Sequence, residues 1–238
     1  TNMYQIGYDK LRQNGHQRVG IALDYKKNSG GFLDTDGTMN NSRREISLYD
    51  TFRFDKNDSY LDLVLRYGRM NHDFSLLGSD NSWVTGGYDN YALLLSTEYG
   101  AKKTFGNRNF FEPQVQLQLG HLGSDSYTTS NDTRVSMNSV NRLMGRVGFR
   151  IGHESQKGTV YVLADAIHEF NNGGQEITLS DQYGSLSSTT VKRGSWYNVG
   201  IGGNYAFGGT FSAYASVEKT FGNELRGWEF DIGTRWSF

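Results

Sequence analysis

The chain has 238 residues, with 30 glycines, one proline, no cysteine and a formal net charge of −1. The missing cysteines exclude disulfides and thiolate metal sites, and the near-neutral charge argues against nucleic-acid binding. No run approaches the roughly 18 continuous apolar residues of a membrane-spanning helix, which excludes a helical membrane protein.

Aromatic residues make up 14% of a chain whose mean hydropathy is −0.61. Apolar mass is therefore spread over alternate positions, as a barrel with lipid outside and water inside requires. The chain opens at Thr1-Asn2-Met3-Tyr4 with no basic segment leading into an apolar core, so no secretory signal is read there. An outer-membrane protein needs one, and the expectation is that it was removed or that this is the C-terminal part of a longer precursor.

Period-two alternation dominates. Eleven strands are predicted, at about 3–12, 16–27, 44–54, 59–70, 88–101, 110–122, 139–153, 158–170, 195–207, 210–220 and 228–238. Most have about the 9–11 residues that a tilted strand needs to cross the hydrocarbon layer, where a soluble sandwich favours five or six. In Pro113-Gln114-Val115-Gln116-Leu117-Gln118-Leu119 the valine and leucines share one face and the glutamines the other. Pro113 has no amide hydrogen to give and belongs near a strand start.

The connections alternate short and long. Gln13-Asn14-Gly15, Asp55 to Asp58, 102–109, 154–157 and Gly208-Gly209 are short, whereas 28–43, 71–87, 123–138, 171–194 and 221–227 are longer. Membrane barrels put short turns on the periplasmic side and longer loops outside. Asn14-Gly15 and Gly208-Gly209 can supply the positive φ of tight turns, and the long connections, rich in Ser, Asn, Asp and Gly, are expected to be exposed loops. The expected fold is a single all-β domain over 1–238, an antiparallel up-and-down transmembrane barrel. Counting back from the short-turn side puts the first strand's start on the long-loop side. Bacterial single-chain barrels have even strand numbers, so one N-terminal strand is expected to be absent from a barrel of twelve when intact.

Side-chain parity gives the expected lumen-lining set: Asp9, Arg18, Asp24, Asp62, Arg66, Glu98, Arg142, Arg146, Arg150, Glu229, Asp231 and Arg235. Two readings stay open for Glu98, Arg146 and Arg150: ion-pair networks that hold the barrel's shape, or the lining of a hydrated conduit. Tyr4, Tyr25, Phe54, Tyr60, Tyr99, Phe170, Phe207 and Phe221 lie near strand ends and are read as interfacial girdles, against the aromatic enrichment of any β protein. Gly200, Gly202 and Gly203 are read as sites of close packing or curvature.

Chemistry has little support. His16, His72, His121, His153 and His168 are scattered, no serine lies in a nucleophile elbow, and neither metal nor cofactor is expected. The pairs His72-Asp73 and His168-Glu169 point to opposite sheet faces if in strands. Asn40-Asn41 and Asn171-Asn172 fall in predicted external loops and are not assigned a self-cleavage role.

In the last strand Trp228, Phe230, Ile232, Thr234, Trp236 and Phe238 share the lipid face. A terminal Phe with an aromatic two positions earlier resembles the signal by which the β-barrel assembly machinery recognises its substrates, which marks Phe230, Ile232, Trp236 and Phe238. Five further segments carry a resemblance: Ile6-Gly7-Tyr8-Asp9, Ser96-Thr97-Glu98-Tyr99-Gly100, Phe111-Glu112-Pro113-Gln114, Gly145-Arg146-Val147-Gly148-Phe149-Arg150 and His168-Glu169-Phe170. In order and spacing they resemble the Gly-x-Asp second strand, the acidic sixth strand, a Glu-Pro-Gln strand start, the eighth strand and the end of the ninth strand of the autotransporter β-domain family. The resemblance implies a monomeric outer-membrane translocator that anchors and exports an N-terminal passenger, with a linker helix threading the lumen. The partners it implies are outer-membrane lipid, the passenger with its helix, and the assembly machinery. A stand-alone porin or adhesin, and a barrel protease or lipase, are the other readings.

Overall fold

The computed structural model describes residues 2–56, 58–170, 174–190, 194–208, 210–222 and 225–236. Eleven long strands build the wall: β1 (Asn2–Arg12), β2 (Gln17–Gly31), β3 (Gly37–Phe54), β4 (Ser59–Leu77), β5 (Trp83–Ala101), β7 (Asn109–Leu122), β10 (Val140–Glu154), β11 (Gly158–Glu169), β14 (Gly194–Gly208), β15 (Phe211–Gly222) and β16 (Leu225–Trp236). They form one antiparallel sheet in sequence order, to which β6 (Lys103–Phe105) adds a short pairing with β7.

The sheet follows from the alternation. Each ladder places outward apolar residues directly opposite one another, as in Leu65 beside Leu95 and Leu48. The residues between them, such as Ser47, Ser96 and Gln114, are buried on the concave face. The sheet curls far enough that the Arg235 guanidinium of β16 acts electrostatically on the Tyr49 phenol of β3. Among the described residues β1 and β16 remain unpaired edges, and their outward side chains are the barest of the wall, Ile6 at 72% and Ile232 at 88% exposed.

At the first short turn Gln13, Asn14 and Gly15 all have positive φ, of 49°, 54° and 91°, which is the turn chemistry expected of Asn-Gly. The expectation for Gly208-Gly209 includes Gly209, which lies outside the described residues, as do Asn171-Asn172 and Phe238. Glycine also makes room inside the wall: a Cβ on Gly202 would stand 2.6 Å from the Tyr161 hydroxyl and one on Gly100 2.5 Å from the Tyr60 ring.

The long connections differ from the expectation of exposed loops. β2 and β3 pair from Gln17 with Phe52 up to Gly31 with Thr38, and β4 and β5 from Ser59 with Ala101 up to Leu77 with Trp83, so 28–43 and 71–87 are mostly strand. Polar turn formers are held there by cross-strand partners, as where the Ser29 hydroxyl meets Asn40 at 2.7 Å and the Asn71 amide meets Asp89 at 2.5 Å.

The segments 123–138 and 171–194 contain the hairpins β8 (Asp125–Thr128) with β9 (Arg134–Met137) and β12 (Gln175–Asp181) with β13 (Gly184–Thr190). These four make a second sheet in the order β13-β12-β9-β8. Val135 and Met137 in it are 4% and 5% exposed, less than almost any apolar residue of the wall. The local composition signals turns, but a few apolar residues at period two find partners in another connection, and that tertiary pairing overrides composition.

Candidate functional site on the concave face

Arg146 is the hub of the concave face. Its guanidinium donates to Glu98 at 2.6 Å, Asp165 at 2.8 Å and Gln116 at 2.9 Å, and reaches Gln114 at 3.4 Å. It thereby ties β10 to β5, β7 and β11. The Tyr60 hydroxyl donates toward Glu98 at 2.9 Å and Glu112 at 3.1 Å and accepts from the Gln114 amide at 2.8 Å. Tyr60 therefore does not belong to the lipid-facing girdle: its even position in β4 turns it inward. The other described members of that set, among them Tyr4, Phe54, Tyr99 and Phe207, are exposed.

The remaining expected lining residues fall into smaller groups. Arg66 pairs with Glu45 at 3.1 Å, and Arg142 with Glu169 at 2.6 Å. Asp24 is buried and accepts from Gln5 at 2.6 Å, while Asp9 accepts from the Tyr49 hydroxyl at 3.3 Å. Arg150 lies over the Tyr161 ring at 5.2 Å. Asp231 accepts from Ser216 at 3.3 Å, and Glu229 faces Glu218 in register. Ion pairs that water can reach contribute at most about 1 kcal/mol each. Arg146 counts for more, because its side chain and those of Glu98 and Asp165 are largely shielded.

Toward the short-turn end the concave face opens into a cavity of about 790 Å³. Arg18, Arg53 and Arg150 line it together with Asp62, Glu98, Glu112 and Glu154, and Lys102 pairs with Glu154 at its rim. Mixed charge around such a cavity suits passage or packing of a polar chain.

At the long-loop end the second sheet docks along the edge of β5 that β7 leaves free and places Tyr127 on its inner face. The Ser130 amide donates to the Thr85 carbonyl and the Thr85 amide to the Ser130 hydroxyl, both at 2.9 Å, and the Asp89 amide donates to Asp125 at 2.9 Å. Tyr127 stacks on Tyr88 with ring centres 5.3 Å apart, and Tyr88 on His72 at 4.3 Å. This four-stranded cap contacts β5 beyond the end of the β5–β7 ladder at Ala92 and Leu122. Burial holds His72 below the usual imidazole range, opposed by Asp73 and Asp89. Burial, and then Asp125, raises Tyr88.

Sequence reasoning missed Glu45, Tyr60, Glu112, Gln114, Gln116, Asp165 and Glu169 as members of these groups. Parity could have found most of them: the glutamines occupy the polar face of the most regular strand, and Asp165 is the one charge in Val162-Leu163-Ala164-Asp165-Ala166-Ile167. The concave face is not uniformly polar, since Leu163 and Ile167 flank Asp165 on it and are each 7% exposed.

A family model described as the Autotransporter beta-domain matches residues 1–218. The pertactin autotransporter of Bordetella parapertussis is 28% identical over 230 residues, covering 94% of this chain and 24% of that protein. The chain therefore spans about a quarter of the length of the curated relatives it matches. The crystal structure of the β domain of the Bordetella autotransporter BrkA superposes with a TM-score of 0.71 at 25% identity, over 99% of this chain and 90% of that one. The translocator domain of autotransporter NalP from Neisseria meningitidis shares the fold, with a TM-score of 0.75 at 13% identity over 99% and 80% of the two chains.

Proposed function

Because the chain belongs to the autotransporter β-domain family, we propose that it anchors a longer polypeptide in the outer membrane of a Gram-negative cell and exports that polypeptide's N-terminal passenger to the surface. The observation that carries this reading is the family match over residues 1–218 on a sheet that is apolar outside and charged inside.

The free edges of β1 and β16 call for one further strand of the same polypeptide. Unpaired backbone N–H and C=O groups cannot face hydrocarbon, and one strand bridging both edges completes a monomeric barrel of twelve. The concave network around Arg146, with Asp62, Arg18 and Arg150 near it, would hold the linker helix after export and line the path of the passing chain. Phe230, Ile232, Trp236 and Phe238 would present the strand recognised by the β-barrel assembly machinery. Free energy for export would come from passenger folding outside, since the outer membrane has no nucleotide triphosphates. No covalent step is required of this domain.

The test is protease shaving of intact cells that express the full-length protein. The passenger is cleaved from outside when the barrel is intact, and stays protected when Phe238 is deleted and heat-modifiable barrel is lost. A passenger that reaches the surface with no folded barrel, or one held inside by a fully folded barrel, contradicts the proposal.

A further inference from the structure

The outward face carries an unneutralised basic row at one depth. Arg44 of β3 and Arg69 of β4 are direct cross-strand partners, flanked in the same row by Tyr25 of β2 and Tyr91 of β5. Lys27, opposite Ser42, is a diagonal neighbour of Arg44 on the same face. All three basic side chains are exposed. Like charges directly opposite each other on a sheet destabilise it. Among the described residues none of the three has a carboxylate partner; Asp89, diagonal to Arg69, instead accepts from the Asn71 amide at 2.5 Å.

Depth identifies the surroundings. Lys27, Arg44 and Arg69 each stand ten residues from the short-turn ends of their strands, Gln17, Phe54 and Ser59. Ten residues span about 33 Å along a strand, or about 25 Å of height at the usual tilt, which is the thickness of the apolar band of an outer-membrane barrel. Below the row the outward residues are Leu61, Leu63, Leu65 and Tyr67 on β4, and Ile46, Leu48 and Phe52 on β3, with Asp50 of β3 near the short-turn end held by the Gln17 amide at 2.8 Å. Above it come Asn71 and Ser42. The basic row thus lies at the headgroup level of the leaflet on the long-loop side.

We propose that Lys27, Arg44 and Arg69 seat a phosphate group of an outer-leaflet lipid. Two planar guanidinium forks side by side match the oxygens of one phosphate, whose charge relieves their mutual repulsion. Tyr67 and Tyr91, with rings 6.3 Å apart, flank the site where sugar or glycerol meets acyl chain. The inference rests on the outer-membrane placement of the family and is independent of export.

The experiment is native mass spectrometry of the full-length protein in detergent, titrated with bisphosphorylated lipid A, with the same lipid after phosphate removal, and with inorganic phosphate as competitor. A basic residue at an anionic membrane surface contributes roughly fivefold, so the double variant Arg44→Gln/Arg69→Gln should bind phosphorylated lipid A about 25-fold more weakly. The dephosphorylated lipid should show a comparable loss on the unaltered protein, and Arg44→Lys/Arg69→Lys should retain most of the binding. Heat-modifiable migration verifies that each variant is folded, and protease shaving reads export separately. Equal binding of the two lipids, or an unaffected double glutamine variant, overturns the proposal. Displacement of lipid by inorganic phosphate at equal concentration would assign the site to free phosphate and overturn the lipid.

Discussion

The wall and the outer cap are both antiparallel β-structure, yet they are stabilised in opposite ways. The wall turns Leu48, Leu65, Leu95 and Ile201 outward, exposed in the isolated chain and buried only by lipid, while charged groups such as Glu98, Arg146 and Asp165 pair within. The cap buries Val135 and Met137 within protein and leaves the Ser and Thr residues of β13 bare on both faces. The same period-two rule thus yields two solvents for apolar side chains, and the surroundings of each strand decide which one serves.

The largest effect that would break this comparison is a charge on the outward face. Leu65→Arg near the middle of the apolar band should cost about 2–4 kcal/mol of stability in lipid vesicles, whereas Leu186→Arg in β13, already 68% exposed, should stay within about 0.5 kcal/mol. Denaturant titration of the refolded full-length protein measures both, and equal costs would erase the distinction.

A smaller effect is expected inside the cap. Val135→Ala removes buried methyl groups, and should loosen the cap by about 1–2 kcal/mol. Hydrogen exchange should quicken at 125–137 and 175–190 and stay unchanged in β10 and β11. Acceleration throughout the wall would show the two sheets to be one cooperative unit.

The smallest effect depends on pH. Burial keeps His72 neutral against Tyr88, so its contribution is complete above the ordinary imidazole range. It is lost as pH falls from that range toward the lowered folded value. After correction for intrinsic rates, exchange at 125–128 should rise as pH drops through that window, and His72→Gln should abolish the dependence. Persistence of the pH response in that variant would assign it elsewhere.

The wall was legible in the sequence because lipid outside and water inside write alternation residue by residue. Strand order and the short turns follow from alternation and turn composition, and two of the residues expected inward, Glu98 and Arg146, meet at 2.6 Å, while the inward Glu45, Glu112, Asp165 and Glu169 were not picked out. The cap was not legible. Its strands of four to seven residues are too short for a pattern, their Ser, Thr, Asn and Gly content mimics turns, and their pairing joins residues of two connections forty or more positions apart, as in Ile177 beside Met137. Tyr60 was misassigned for a related reason: position near a strand end suggested a girdle, but its parity points inward.

The account stands on alternate side chains meeting lipid and water, and the absence of cysteine from the chain permits a direct test. Single cysteines at 61 through 66 of β4, spin-labelled in the reconstituted full-length protein with any cysteine outside this chain replaced by serine, should alternate. Labels at 61, 63 and 65 should be relaxed by oxygen dissolved in the bilayer, and those at 62, 64 and 66 by a water-soluble nickel chelate. Uniform accessibility along these six positions, or the reverse phase, would contradict the barrel and everything inferred from it.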